Sequence, residues 1–176
     1  MIYKINNDDI ITFVDQEWLE FAQKNEAPEL TKDSILGTLI WRFISGDETK
    51  QLYQHLFERI RKNKTTAAIP FNCDSPTVKR SLDLSINALE DDSLVFTSTV
   101  ISITPCDKNP LLDPSQERSS EIIKICSFCK NVYFEGAGWK NVERALLRLN
   151  LNYYNPLPKL KNTVCSDCKK VVEAVF

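Results

Sequence analysis

The chain has 176 residues, 43% of them hydrophobic and 26% charged, with six cysteines and a net charge of −2. That composition suits a globular protein of one domain, or one domain with a small appendage, and supplies enough apolar residues for a real core. No apolar run approaches the ~18–20 residues of a membrane span, and MIYKINNDD lacks the basic flank and apolar run of a secretory signal. A cytoplasmic, reducing location is therefore expected, with no membrane partner.

DIITFVD (9–15) reads as a first strand, and QEWLEFAQKN (16–25) as a helix with Trp18, Phe21 and Ala22 on one face. Pro28 ends it, and Thr31 to Asp33 can cap the next element. SILGTLIWRFISG (34–46) is a short apolar segment between Gly37 and Gly46. ETKQLYQHLFERIRKN (48–63) predicts a long helix burying Leu52, Tyr53, Leu56, Phe57 and Ile60. Three strands are predicted at 66–74, 78–89 and 93–103, the middle one alternating Leu82, Leu84 and Ile86 with polar residues. Asp74–Pro76 and Glu90–Asp92 supply the turns. Helices followed by a strand meander predict an α+β domain with an antiparallel sheet over 1–104. Residues 105–121, with three prolines and little periodicity, read as a linker.

Residues 122–176 form a second module. Its C-x-x-C pairs, Cys126/Cys129 and Cys165/Cys168, have the spacing of two zinc knuckles. Together they make a closed Cys₄ set without an open position, so a structural Zn²⁺ is expected. The 35 residues between the pairs exceed the usual ~15–20, so the insert must carry structure of its own. Trp139, Val142, Leu146 and Leu149 lie at helical spacing and predict one helix over 138–151, stopped by Asn155, Pro156 and Pro158. The other reading of the dithiols is a redox pair, but neither C-x-x-C ends a strand in a βαβ setting. Cys126→Ser is expected to unfold this module and leave 1–104 folded. Residues 1–117 carry 12 Lys/Arg against 19 Asp/Glu, whereas 118–176 carry 10 against 5. The basic residues are dispersed, so the acidic body and basic tail suit docking of one on the other or plain solvation ahead of a nucleic-acid-binding tail.

The order of elements over 1–104 resembles a PAS domain. The resemblance rests on W-x-x-F-A-x-x-N (Trp18, Phe21, Ala22, Asn25), on L-G-x-x-x-W-x-F-I (Leu36, Gly37, Trp41, Phe43, Ile44), and on Pro70, Phe71, Cys73, Asp74, Ser75, Pro76 and Arg80. The tail resembles a four-cysteine module that follows bacterial sensory domains, carried by Ile125, Cys126, Ser127, Cys129, Lys130, Trp139, Val142, Glu143, Cys165 and Cys168. It departs from that module at Asn162, Thr163 and Val164, which leaves no histidine as a spare ligand. The fold so implied is a PAS-like antiparallel sheet with flanking helices, plus a small zinc-ribbon-like C-terminal module. The function implied is signal transduction: a sensor or adaptor without catalytic output, working through a protein partner and compatible with a homodimer. Its pocket would be lined by Trp18, Phe21, Trp41, Phe43 and Leu56, although aromatic residues at such spacing also make ordinary core.

Haem and flavin are not expected. His55, the single histidine, falls ~130° from the centre of the long helix's apolar stripe, and Cys73 lacks the N-C-R-F-L motif of flavin-adduct cysteines. No partner for a Ser or Cys nucleophile and no phosphate loop appears, so no enzymatic activity is expected. A second reading is a zinc-ribbon-type nucleic-acid binder using Lys124, Lys130, Lys140, Arg144, Arg148, Lys159, Lys161, Lys169 and Lys170, with Tyr153 and Tyr154 for stacking.

Overall fold

The computed structural model describes residues 1–25, 27–149 and 156–175. The body opens with two short strands, β1 (Ile2–Ile5) and β2 (Ile11–Val14). Asp15 then caps α1 (Gln16–Lys24) by accepting from the Trp18 amide at 2.7 Å. A capping box on Thr31 and Ser34 starts α2 (Lys32–Ile35). A 3₁₀ turn at Ile40–Arg42 leads to α3 (Asp47–Asn63), then β3 (Thr66–Asn72), β4 (Val78–Ala88) and β5 (Leu94–Pro105).

These five strands form one antiparallel sheet in the order β2-β1-β5-β4-β3. The long helix lays Leu52, Leu56, Phe57 and Ile60 into a core with Ile69, Leu84, Ile86, Leu94 and Phe96. The α+β class and the run of long elements match the sequence reading. The opening pair does not, because β1 is an additional strand, hydrogen-bonded between β2 and β5.

Residues 105–121 are not a loose linker. Asn109 caps a 3₁₀ turn at Pro110–Leu112, Leu111 is fully buried, and the Arg118 guanidinium donates to the carbonyls of Leu111, Asp113 and Pro158. Residues from Arg118 onward already belong to β6 (Arg118–Cys126). Prolines here end strands and start a turn, and the two leucines between them give the segment something to bury.

The tail continues with β7 (Val132–Phe134), β8 (Gly138–Lys140), α4 (Val142–Leu149), β9 (Leu157–Thr163) and α5 (Ser166–Glu173). Its sheet runs β8-β7-β6-β9, with β6 and β9 parallel. Parallel neighbours need a crossover of a dozen or more residues, and that is what the long insert provides: a hairpin, a helix and a return strand. Two expectations are corrected here. The helix starts at Val142 and not near Trp139, which sits in β8, and α5 is a second helix where one was expected. Tyr153, Tyr154 and the stop at Asn155 lie outside the described residues.

Body and tail share a core. Cys126, Phe128, Cys165 and Val172 belong to the same buried cluster as Leu52, Phe57 and Phe96. A smaller cluster of Leu111, Ile125, Val132, Val142, Ala145 and Leu157 fills the far side of the second sheet. Independent folding of 1–104 after loss of the knuckles is therefore not what this packing favours, because the body's own core is closed partly by knuckle residues.

Candidate metal centre and adjoining cleft

Parallel pairing sets Cys126 beside Thr163, so the first knuckle at the end of β6 and the second just past β9 meet at one end of the sheet. Contrary to the sequence expectation, the first C-x-x-C does end a strand whose parallel neighbour follows a crossover containing α4. The Ser127 amide donates to the Thr163 carbonyl at 2.8 Å and ties the two ends together. Lys130 takes a left-handed φ of 60°, which turns the chain back toward β7. In the second knuckle Cys165 is the cap of α5, its Sγ accepting from the Cys168 amide at 3.4 Å, while its own amide donates to the Cys126 Sγ at 3.4 Å. Backbone donors and a helix N-terminus both favour thiolate over thiol.

All four sulfurs lie within 4.8 Å of one another, Cys126 and Cys165 buried, Cys129 and Cys168 half-buried. The Cys129–Cys165 separation is 3.8 Å, close to the edge of about 3.8 Å that a tetrahedron with arms of ~2.3 Å requires. The four cysteines can thus hold a metal ion such as zinc. Without one, the thiols compete for protons. Cys126 is held far below the ordinary thiol range by hydrogen bonds from Cys129 and Cys168. Cys129 is pushed up to about 12, and Cys168 is also pushed up, chiefly through donating to Cys126. A divalent cation removes that competition by stabilising every thiolate at once.

Contacts from the body hold the centre in place. The Asn72 amide donates to the Phe128 carbonyl at 2.7 Å, and the Thr49 and Ser127 hydroxyls are 2.8 Å apart. Thr163 donates its hydroxyl to Glu48, whose carboxyl is held below the usual range first by that bond.

Beside this centre, between α1, α3 and the first sheet, lies a cleft of about 420 Å³ whose walls include Tyr3, Trp18, Phe21, Phe43, Tyr53, Phe71 and Leu84. A smaller cavity of about 160 Å³ shares Tyr3, Trp18 and Phe43 with it. Of the five residues expected to line a pocket, Trp18, Phe21 and Phe43 do so. Trp41 and Leu56 line neither space. The Trp41 indole donates to Asp9 at 3.0 Å and its ring packs on Phe57, and Leu56 is fully buried in the core. Tyr3 and Tyr53 are cleft residues that sequence reasoning missed: Tyr53 falls by periodicity on the helix's core stripe, and Tyr3 lies on the additional strand β1.

His55 is exposed on α3, on a polar groove shared with Glu48, Ser166, Lys169 and Glu173. Cys73 stands just beyond β3, half-buried, its thiol pushed up by desolvation. Asp74 and Arg80 do not form an ion pair in the hairpin. Asp74 accepts from the Arg80 amide, and the guanidinium turns to the Cys73 carbonyl and the Phe21 ring. Among the described residues no helix is long and apolar enough to cross a membrane. The nine basic residues considered for nucleic-acid contact are spread over β6, β8, β9, α4, α5 and the first knuckle.

No family model, curated protein or solved structure matches this chain.

Proposed function

We propose that the chain is a non-catalytic, cytoplasmic PAS-like sensor or adaptor, with a structural Cys₄ zinc site, acting through a protein partner. One observation carries the reading. Tyr53, in the wall of the cleft, packs its ring 5.7 Å from Phe128, which stands inside the first C-x-x-C. A molecule entering the cleft touches a side chain that touches the metal knuckle, so occupancy has a short physical route to the tail. The shared core supports the same idea, since body and knuckles are packed as one piece.

The test is native mass spectrometry of freshly purified full-length protein. The proposal expects the chain mass plus one zinc, and a non-covalently held small molecule that Trp18→Ala releases. A chain carrying neither contradicts it.

A second reading, binding of single-stranded nucleic acid by the tail, is favoured by one feature of the second sheet. Lys161 pairs in register with Lys124, Lys124 lies 6.0 Å over the Tyr133 ring, and Tyr133 faces Trp139 at 5.4 Å. Cations beside stackable rings are what such binding uses. A salt titration with RNA and DNA decides it: affinity falling steeply with salt supports nucleic-acid binding, and no binding at low salt removes it.

A further inference from the structure

Two phenol hydroxyls in the cleft wall are not used by the protein itself. Tyr3 and Tyr53 both line the cleft, no hydrogen bond from a described residue reaches either hydroxyl, and neither is sealed from solvent. Both rings pack on neighbouring aromatics: Tyr3 stacks on Phe96 at 4.3 Å, and Tyr53 packs against Phe57 and Phe128. Burial pushes both phenols up, Tyr3 with a further contribution from Tyr53, so both remain neutral donors across the physiological range.

Most of the remaining wall is apolar or aromatic, including Trp18, Phe21, Phe43, Phe71, Leu82 and Leu84, with Asn25, Cys73 and Ser98 as uncharged polar members. Among the described residues no Asp, Glu, Lys or Arg side chain lines it, and the Met1 ammonium at one edge is paired with Glu17 at 2.6 Å. Outside it, Arg80 stands at the rim over Phe21, bonded to the Cys73 carbonyl. At about 420 Å³ the cleft is within the ~300–1,000 Å³ of small-molecule sites. A charged ligand would lose its hydration here without a counter-charge, which is costly. A purely apolar one would cover two hydroxyls and leave them without partners.

We propose that the cleft binds an uncharged, largely aromatic small molecule bearing a hydrogen-bond acceptor, such as an aryl ketone, with the Tyr3 and Tyr53 hydroxyls donating to that acceptor. This rests on the sensory reading of the cleft and gives it a ligand class. It also gives the signal a direction: a ligand held by Tyr53 fixes the ring that abuts Phe128.

The test uses zinc-loaded full-length protein, calorimetric titration and three matched probes: 2-acetylnaphthalene, naphthalene and 2-naphthoate. The ketone should bind roughly fivefold or more tightly than naphthalene, the scale of one or two net hydrogen bonds, and the carboxylate should bind weakest. Tyr3→Phe and Tyr53→Phe keep the rings, and so the packing, and should erase the ketone's advantage while leaving naphthalene unchanged. Equal affinity for ketone and naphthalene, a preference that survives both variants, tighter binding of the carboxylate, or no binding by any probe overturns the ligand class. Hydrogen exchange at 126–129, measured with the ketone bound, separates this from the sensory reading. Binding with no change there keeps the ligand class and contradicts the sensor. A different kind of molecule found in the cleft by native mass spectrometry does the reverse.

Discussion

The amide of Asn72 donates to the carbonyl of Phe128 at 2.7 Å, joining the end of the first sheet's edge strand to the middle of the first cysteine knuckle. The Asn72 side chain reaches the Cys129 carbonyl at 3.4 Å as well. The knuckle therefore covers a strand end that would otherwise present unpaired backbone groups. This is why the two parts should not melt separately.

Cys126→Ser tests that dependence. Cys126 is fully buried, in a cluster that also contains Leu56, Phe57 and Phe96. The variant should lose protease protection in β3 and α3 along with the tail. Retention of a stable, protected 1–104 fragment would restore the two-part picture suggested by the linker-like composition of 105–121.

Arg61 ties two turns to the long helix. Its guanidinium donates to Asp9 at 2.7 Å, to the Asn6 carbonyl at 2.9 Å and to the Asp92 carbonyl at 2.9 Å. The ion pair is only 14% and 21% exposed on its two sides. Removing it leaves a partly buried carboxylate and two carbonyls without their donor, so Arg61→Ala should cost about 2–4 kcal/mol in chemical denaturation. Arg61→Lys keeps the charge but not the fork and should recover only part of this. A loss below ~1 kcal/mol for Arg61→Ala would show the network to be solvated.

Gly46 marks where α3 meets β9. Its φ is +89°, and a Cβ there would stand inside the van der Waals contact distance of the Asn162 carbonyl. Gly37 has a similar φ of +78° with nothing nearby, which makes it the matched control. Gly37→Ala should cost on the order of 1 kcal/mol, the backbone effect alone, and Gly46→Ala clearly more. Equal thermal shifts for the two would mean that body and tail yield easily at this contact.

Glu48 gives the junction an acid dependence. Its carboxyl lies below the ordinary range because the Thr163 hydroxyl, the Val164 amide and the charges of Lys124 and Lys169 favour the ionised form. A pKa lower in the folded state than in the unfolded one stabilises the fold above the unfolded value, near ~4.3. That stability is lost as pH falls through the folded value. Wild type should therefore exceed Glu48→Gln at neutral pH, the gap closing below about pH 4. Stability curves that run parallel from neutral to strongly acid pH would show the carboxylate contributes nothing.

Much of the body could be read along the chain because its cues are local. Asp15 before an amphipathic stretch marks α1, and the alternation of Leu82, Leu84 and Ile86 marks β4. Strand β1 escapes because IYKI is four residues long and acquires meaning only from Phe96 and Val95 across the sheet. In the tail, Asn141, whose side chain accepts from the Arg144 amide at 2.9 Å, is the available signal for where α4 begins. Helix α5 is hidden because its cap is Cys165, a residue whose spacing speaks only of a ligand. The parallel pairing of β6 with β9 joins residues more than 35 apart, such as Cys126 and Thr163, and leaves no periodic trace. The four sulfurs are identifiable from spacing, whereas the body's share in their environment depends on contacts between distant elements.

Hydrogen exchange on the intact chain, zinc-loaded and after chelation, measures the coupling between metal and cleft most directly. Zinc removal should raise exchange in 47–72 together with 122–134 and 157–173, since one core serves all of them. Exchange that rises only in the tail, or does not change at all, would contradict a body and metal centre built as one cooperative unit.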